Sequence, residues 1–255
     1  MLFEFLSFKE VFKIKALILA AGYATRLYPL TKDKPKHLIE VGNKTILERV
    51  LRKIEKSSRI DEVFIVTNNK FHGVFENYLN NFECSKKITL VNDNTFSNDD
   101  RLGAVGDINH VIEKHKINSD LMVIAGDNLF GFEIDNFVNF FLEKKSNVVA
   151  FSNLGSFNAV RGKFGVGILE NDRIVAFEEK PQNPRSTLAS TACYVFNKES
   201  IGDIQELNGK GVDNLGLLIG HLMDKNSVHG FVFEEHWFDI GSFESLEDAR
   251  EEYRL

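Results

Sequence analysis

Apolar positions in the first half of the chain alternate between continuous runs and helical stripes. Over residues 15–21 an apolar run, Ala16, Leu17, Ile18 and Leu19, follows Lys15 as in a buried strand and leads into Ala20, Ala21 and Gly22. Residues 45–57 carry Ile46, Leu47, Val50, Leu51 and Ile54 at helical spacing. The same reading predicts strands over 62–67, 87–91 and 121–125, and helices over 71–80 and 105–116. A helix over 135–145 carries Phe137, Val138, Phe141 and Leu142 behind Asp135, the expected N-cap. This βαβα order predicts an α/β fold: a doubly wound, mostly parallel sheet with helices on both faces and right-handed crossovers. Ligands of such sheets bind beyond the carboxyl ends of the strands. There the sequence sets Gly22, Asn68 and Asp127.

The second half reads differently. Short β segments fall at 148–151, 165–169, 174–178, 192–196 and 229–233, with helices only over 214–224 and 243–253. They are expected to extend the sheet and form a small β lobe covering the cleft. No linker, repeat or low-complexity tract interrupts the chain. The expected division is an N-terminal extension over 1–14 and a single domain over 15–255. Residues 1–12 are apolar, but Glu4, Lys9 and Glu10 break the run, and no basic segment leads it. They read as an extension packed on the domain or the product of an upstream start codon, not as a signal peptide. No stretch approaches the ~20 apolar residues of a membrane span.

Composition narrows the classes. The 255 residues are 43% hydrophobic and 27% charged, ample for an independent core. A net charge of −6 and a pI near 5.7, with no basic stripe, argue against nucleic acid as partner. Cys84 and Cys193 are too far apart in sequence to suggest a metal framework or disulfide scaffold, and a cytoplasmic setting is expected. The seven histidines show no metal-ligand spacing and read as structural or surface groups.

The candidate chemistry is anionic-ligand chemistry. After the first strand, Ala20, Ala21 and Gly22 allow backbone N–H groups to approach phosphates, and Arg26 and Lys36 follow as cations. Neither a Walker A loop nor G-x-G-x-x-G is present. Asp127, in IAGDNLF, either holds a divalent cation at the sheet edge or caps the next turn. Asp239, in HWFDIGS, is a second such carboxylate or a loop aspartate before the last helix. Glu179 and Lys180, in FEEKP, form a sugar-phosphate clamp or a solvated charge run. Gly165 inside a strand pattern marks close approach by a ligand or by backbone.

Taken in order, L-A-A-G-x-x-T-R-L-x-P-L-T, K-P-K, G-D-N, E-E-K-P and W-x-D-x-G-S resemble the sugar-1-phosphate nucleotidylyltransferases, and most of all the glucose-1-phosphate thymidylyltransferases. The resemblance runs from about Lys15 to Ala249 and implies a Rossmann-like fold of the nucleotide-diphospho-sugar transferase type. It implies that Ala20, Ala21, Gly22 and Thr25 cradle the nucleotide, and that Arg26 and Lys36 contact its phosphates. It implies that Asp127 and Asp239 hold Mg²⁺, that Gly165 and Glu179 meet the sugar, and that Lys180 meets its phosphate. The implied reaction takes a pyrimidine NTP, dTTP favoured and UTP second, and glucose-1-phosphate to an NDP-sugar and pyrophosphate, in nucleotide-sugar and polysaccharide biosynthesis. A homo-oligomer is a further open expectation.

The sequence departs from the family pattern at two places. Where the family loop is G-x-G-T-R, this chain has Gly22-Tyr23-Ala24-Thr25-Arg26, and Ala24 requires negative φ or a tolerated strain. Where the family has Gln-x-x-Pro-x-Gly at the base, this chain has Asn98 through Gly103 with Arg101 at the proline position. Asn98 keeps an amide for a pyrimidine edge, one methylene shorter. Two other readings follow: a UTP- or CTP-dependent transferase acting on another sugar or polyol phosphate, and a nucleotide-sugar-binding regulator without turnover. No β-helix tail follows the last motif, so acyl transfer is not expected.

Overall fold

A strand covered on both faces must meet a hydrophobic partner on each side, and β1 (Ile14–Leu19) does. In the computed structural model, which describes residues 13–254, Ala16 and Ile18 enter one core and Leu17 the other. The chain then makes a short hairpin, β2 (Glu40–Val41) and β3 (Lys44–Thr45), followed by α1 (Ile46–Lys56), β4 (Ile60–Thr67) and α2 (Asn69–Asn80). Next come β5 (Lys87–Asn92), α3 (Gly103–His115), β6 (Leu121–Ala125), β7 (Asn128–Phe130) and α4 (Ile134–Lys144). β4 and β6 flank β1 in parallel, and β5 runs parallel to β4.

The second half contributes β8 (Asn147–Asn153), the single turn α5 (Phe157–Val160), β9 (Gly165–Glu170), β10 (Arg173–Glu179) and β11 (Leu188–Phe196). It ends with α6 (Ile201–Gly209), α7 (Leu215–Lys225), β12 (Val228–Phe233), β13 (Trp237–Asp239) and α8 (Phe243–Glu252). The nine-stranded sheet has the order β5-β4-β1-β6-β11-β8-β12-β10-β9. β9 also pairs with the start of β11, so the pairings β11–β8–β12–β10–β9 return on themselves. This ring is the expected β lobe.

Helices cover both faces of the parallel half, as a doubly wound sheet requires. Leu47 and Leu51 of α1, Phe71 and Phe75 of α2, and Phe137 of α4 fill one core. Ile108 of α3, Ile204 of α6 and Leu218 of α7 fill the other. A smaller core joins Leu246 and Ala249 of α8 to Leu27, Ile39, Val41 and Leu129, tying the last helix to the loop after β1.

Three expectations are corrected. Asp135 lies inside the first turn of α4, behind Glu133, and its carboxylate accepts a hydrogen bond from the Ser57 hydroxyl. The helix α6 was not expected, nor was the ladder of β7 and β13, whose strands of three residues are too short for a period-2 pattern. The extension over 1–12 lies outside the described residues. Among the described residues no helix is long and apolar enough to cross a membrane.

Candidate active site

The loop after β1 is fixed from beneath. Ala20 N–H donates to Val66 O at 2.8 Å, and Asn68 Nδ2 donates to Ala21 O at 2.8 Å. Asn68 also caps α2, its Oδ1 accepting from Phe71 N–H at 3.0 Å, so its place at a strand end serves the scaffold. Gly22 faces open space: a Cβ there would meet nothing within 4 Å. Ala24 adopts the left-handed conformation, φ 49 and ψ 42, which resolves the sequence alternative in favour of tolerated strain. Thr31 Oγ1 donates to Ala24 O at 2.7 Å and holds the bend before the short turn that carries Arg26.

Two carboxylates meet at the mouth of the parallel strands. Gly126 N–H donates to Leu19 O at 2.9 Å, which delivers Asp127 beyond β6. β13 pairs antiparallel to β7 with Asp239 opposite Asn128, and Ile240 N–H donates to Asp127 O at 3.0 Å. Asn128 locks the corner, its Nδ2 donating to Asp127 Oδ1 at 2.9 Å and its Oδ1 accepting from Trp237 Nε1 at 2.6 Å. Lys36 ion-pairs with Asp127.

Burial pushes the Asp127 carboxyl up, but the Lys36 charge and the hydrogen bonds from Lys36 and Asn128 outweigh it and hold the group below its ordinary value. Asp239 goes the other way, to about 6, raised by burial and then by the Asp127 charge, against Lys36, Arg26 and Lys180. Three cations therefore bear on one acid pair. His37, beneath it, is pushed down to about 3 by burial and by Lys36, so its imidazole is neutral at pH 7. An all-oxygen pair in which one carboxylate raises the other fits a hard divalent cation.

On the far side, Gly165 of β9 stands opposite Glu179 of β10. A Cβ on Gly165 would lie 2.5 Å from Phe177 Cζ, so the glycine is demanded by that ring. Lys180 follows in the left-handed region, φ 47, with its N–H on Phe164 O at 3.2 Å. β11 shifts register between Ser190 and Tyr194, with Ala192 at φ 53, a bulge of the kind found beside binding sites. Arg26, Gly165, Glu179, Lys180 and Asp239 line a cavity of about 330 Å³. Ala21, Gly22, Lys36, Gly103 and Asp127 line a second, of about 340 Å³. Ala104, Asp213 and Leu215 belong to both walls, so the two meet.

Most of the expected site residues thus converge, but three do not line either cavity. Ala20 is buried beneath the loop, Thr25 begins the turn before Arg26, and Asn98 sits exposed on the loop before α3. The Asn98 carbonyl accepts from Arg101 Nη1 at 3.0 Å. Residues not anticipated are Asp93 and Asp107 in the second cavity and Asn128 in the first, whereas Trp237 lines the first cavity, as its place in HWFDIGS beside Asp239 suggests. Asp107 had a signal, a lone carboxylate within the apolar helix pattern of Val105, Ile108, Val111 and Ile112. His221, read as structural or surface, groups with Asp203 and Glu206 within 4.8 Å, but Lys225 already pairs with both acids.

Known proteins resemble this chain in sequence and in fold. A family model described as nucleotidyl transferase matches residues 15–254. The chain is 30% identical over 237 residues to the bifunctional protein GlmU of Methanococcus aeolicus, covering 92% of this chain and 53% of that one. It is 26% identical to a putative mannose-1-phosphate guanyltransferase of Sulfolobus acidocaldarius, covering 89% of this chain and 60% of that one. The chain therefore spans about half to three-fifths of the length of these relatives. The crystal structure of a putative glucose-1-phosphate thymidylyltransferase from Bacillus anthracis superposes with a TM-score of 0.83 at 25% identity, covering 94% of this chain and 95% of that one. The family model spans nearly the whole chain, and the chain is a member of the nucleotidyl transferase family.

Proposed function

We propose that residues 15–255 work as one domain that transfers a nucleoside monophosphate from an NTP to a sugar-1-phosphate and releases pyrophosphate. The observation that carries this reading is the convergence of Arg26, Lys36 and Lys180 on the Asp127–Asp239 pair, between the cavity of Gly22 and that of Glu179. Triphosphate and sugar phosphate are both anions, and basic side chains line each cavity, Arg26 and Lys180 in one and Lys36 in the other.

The reaction is an in-line attack of a phosphate oxygen of the sugar phosphate on the α-phosphorus. The bond from that phosphorus to the bridging oxygen breaks, and pyrophosphate leaves with the electron pair. The nucleophile is already an anion and needs no general base. Catalysis is then positioning and charge stabilisation. Gly22 and its neighbours receive the triphosphate, Arg26 faces the leaving pyrophosphate, Lys36 steadies the α-phosphate, and Lys180 holds the incoming sugar phosphate. Glu179 and Gly165 meet sugar hydroxyls. A divalent cation, Mg²⁺ by its preference for oxygen ligands, would be held by Asp127 and Asp239 and would neutralise charge on the phosphate oxygens.

Glucose-1-phosphate is the first acceptor to test, as the sequence motifs favour. The motifs also favour dTTP, with UTP second, through the Asn98 amide. That amide lies on an exposed loop outside both cavities and does not support a pyrimidine here. The test is pyrophosphate release with Mg²⁺, each of dTTP, UTP, CTP, ATP and GTP, and glucose-, mannose- or galactose-1-phosphate. Release that requires both substrates is expected. Silence in every combination, with nucleotide still raising the melting temperature, would make the chain a binder and overturn the enzymatic reading.

A further inference from the structure

The Glu179 carboxylate lies between two glycines that come from different elements, and all three residues line the first cavity. One is Gly165, its partner across the β9–β10 ladder, where a Cβ would stand 3.3 Å from Glu179 Oε2. The other is Gly216, the second residue of α7. A Cβ on Gly216 would overlap Glu179 Oε2 and stand 3.2 Å from its Cδ. The carboxylate therefore occupies the space that a side chain at position 216 would take.

This seat is held from both elements. Leu218 and Leu222 of α7 share a core with Ile174 of β10, and Phe177 packs against it. Asn214 Oδ1 caps α7, accepting from Leu217 N–H at 3.1 Å. Lys180 N–H donates to Phe164 O at 3.2 Å and closes the end of the β9–β10 ladder behind Glu179. The first N–H groups of a helix have no partner inside it and form the positive end of its dipole. A carboxylate oxygen beside the second residue of α7 is favoured by that end. The other oxygen, Oε1, stands 3.8 Å from Lys180 Nζ.

The backbone does not require glycine at 216. Its φ lies outside the left-handed region that Gly103 and Gly211 occupy, and alanine is the better helix former. What a Cβ there would meet are two side-chain ends, the Glu179 carboxylate and Asn214 Oδ1, the latter at 3.0 Å. Side-chain ends can move aside, so the fold accepts alanine and the carboxylate gives way. Resting on the reading of Glu179 as the residue that meets sugar hydroxyls, we infer that Gly216 is a positioning residue for the sugar phosphate, acting through Glu179. A carboxylate only accepts hydrogen bonds. The groups it holds are hydroxyl donors of the sugar, and their place is set by where α7 lets the carboxylate rest.

The experiment is steady-state pyrophosphate release by the full chain with Mg²⁺, using whichever NTP and whichever of glucose-, mannose- and galactose-1-phosphate the wild type turns over. It is run on the wild type, Gly216→Ala, Glu179→Ala and the double variant, each with its melting temperature. Gly216→Ala is expected to raise the KM for the sugar phosphate about tenfold, the scale of one hydrogen bond to a charged group. Its kcat should fall less than about threefold and its nucleotide KM change less than about twofold, as for loss of uniform binding of one substrate. Its melting temperature should equal or exceed that of the wild type. The double variant should be no worse than Glu179→Ala, because both changes remove the same contact. An unaltered sugar-phosphate KM in Gly216→Ala would overturn the inference and leave the transfer reaction standing. So would a lower melting temperature with both KM values raised together, or a further tenfold loss in the double variant. No turnover by the wild type in any combination would overturn this inference and the function it rests on together.

Discussion

Lys36 and Asp127 are ion-paired at the mouth of the sheet with side chains only 14% and 19% exposed, 91 positions apart in the chain. Pro35 sets the start of the short turn that carries Lys36, and Gly126 delivers Asp127 from the end of β6. The pair is half-buried, so each charge depends on the other. Asp127→Asn keeps the shape of the corner and removes the carboxylate that pairs with Lys36 and is proposed to hold the divalent cation. Its kcat is expected to fall at least about a hundredfold, or ~2.7 kcal/mol of barrier, with the fold retained. Pyrophosphate release alongside thermal denaturation separates the two effects. Near-normal kcat would sink the proposed metal role.

Lys36→Met is expected to do more harm to stability. It leaves the Asp127 charge inside a partly closed site without its ammonium, and breaking such a pair costs about 1–3 kcal/mol or more. Urea unfolding should show a lower midpoint for Lys36→Met than for Asp127→Asn. The reverse order would mean that the carboxylate, not the pairing, carries the local stability.

Ala24 holds φ 49 in the loop after β1. An L-residue pays about 1–2 kcal/mol for that region and glycine does not. Ala24→Gly relieves the strain but also frees the unfolded chain, which works against it. The net expectation is a gain of about 0.5–1 kcal/mol in unfolding free energy, read from urea curves at constant slope. A loss of stability would show that the left-handed bend is not a strain on the folded chain.

Gly126 has no room for a side chain. A Cβ would lie 2.8 Å from Ile18 Cγ2, 2.9 Å from Leu19 O and 3.0 Å from His37 Cδ2. Gly126→Ala must displace backbone or the strand that bears the glycine loop, at about 1–3 kcal/mol. Because the displaced residue precedes Asp127, the variant should also lose kcat. Unfolding and pyrophosphate assays on the same preparation check both, and a wild-type-like Gly126→Ala would contradict the packing described.

Asp107 sets a pH dependence of stability. Its folded-state value of about 8 lies far above the ~3.9 of an exposed aspartate. The folded protein therefore keeps a proton that the unfolded chain releases. That contribution is complete below about 3.9 and is lost as pH rises to about 8. Asp107→Asn is neutral at every pH, so its melting temperature relative to wild type should climb between pH 5 and pH 8. Parallel curves for the two proteins across that range would rule out a protonated Asp107.

The sequence alone determined the parallel core and the order of its elements, with strand ends within two residues of those expected. Buried strands and helical stripes are local periodicities, and 3.6- and 2-residue patterns are legible wherever an element is long enough. β6 spans the residues expected, and α1 lies within the expected 45–57, with Thr45 as its N-cap and Ser57 as its C-cap. The glycine loop, Asp127, Asp239, Glu179 and Lys180 were legible because each sits in a short run of distinctive residues. The tertiary structure decided what these runs share. Asp239 reaches Asp127 through a three-residue ladder that has no pattern of its own, across more than a hundred positions of chain. Asn98 carried the motif position for the base, yet the backbone leaves it exposed, and Asp107, a lone carboxylate in the apolar pattern of α3, lines the cavity instead. Spacing along a chain fixes which face a residue shares with its neighbours. It cannot fix which distant loops close around the same space, because that depends on how the two cores pack against one sheet.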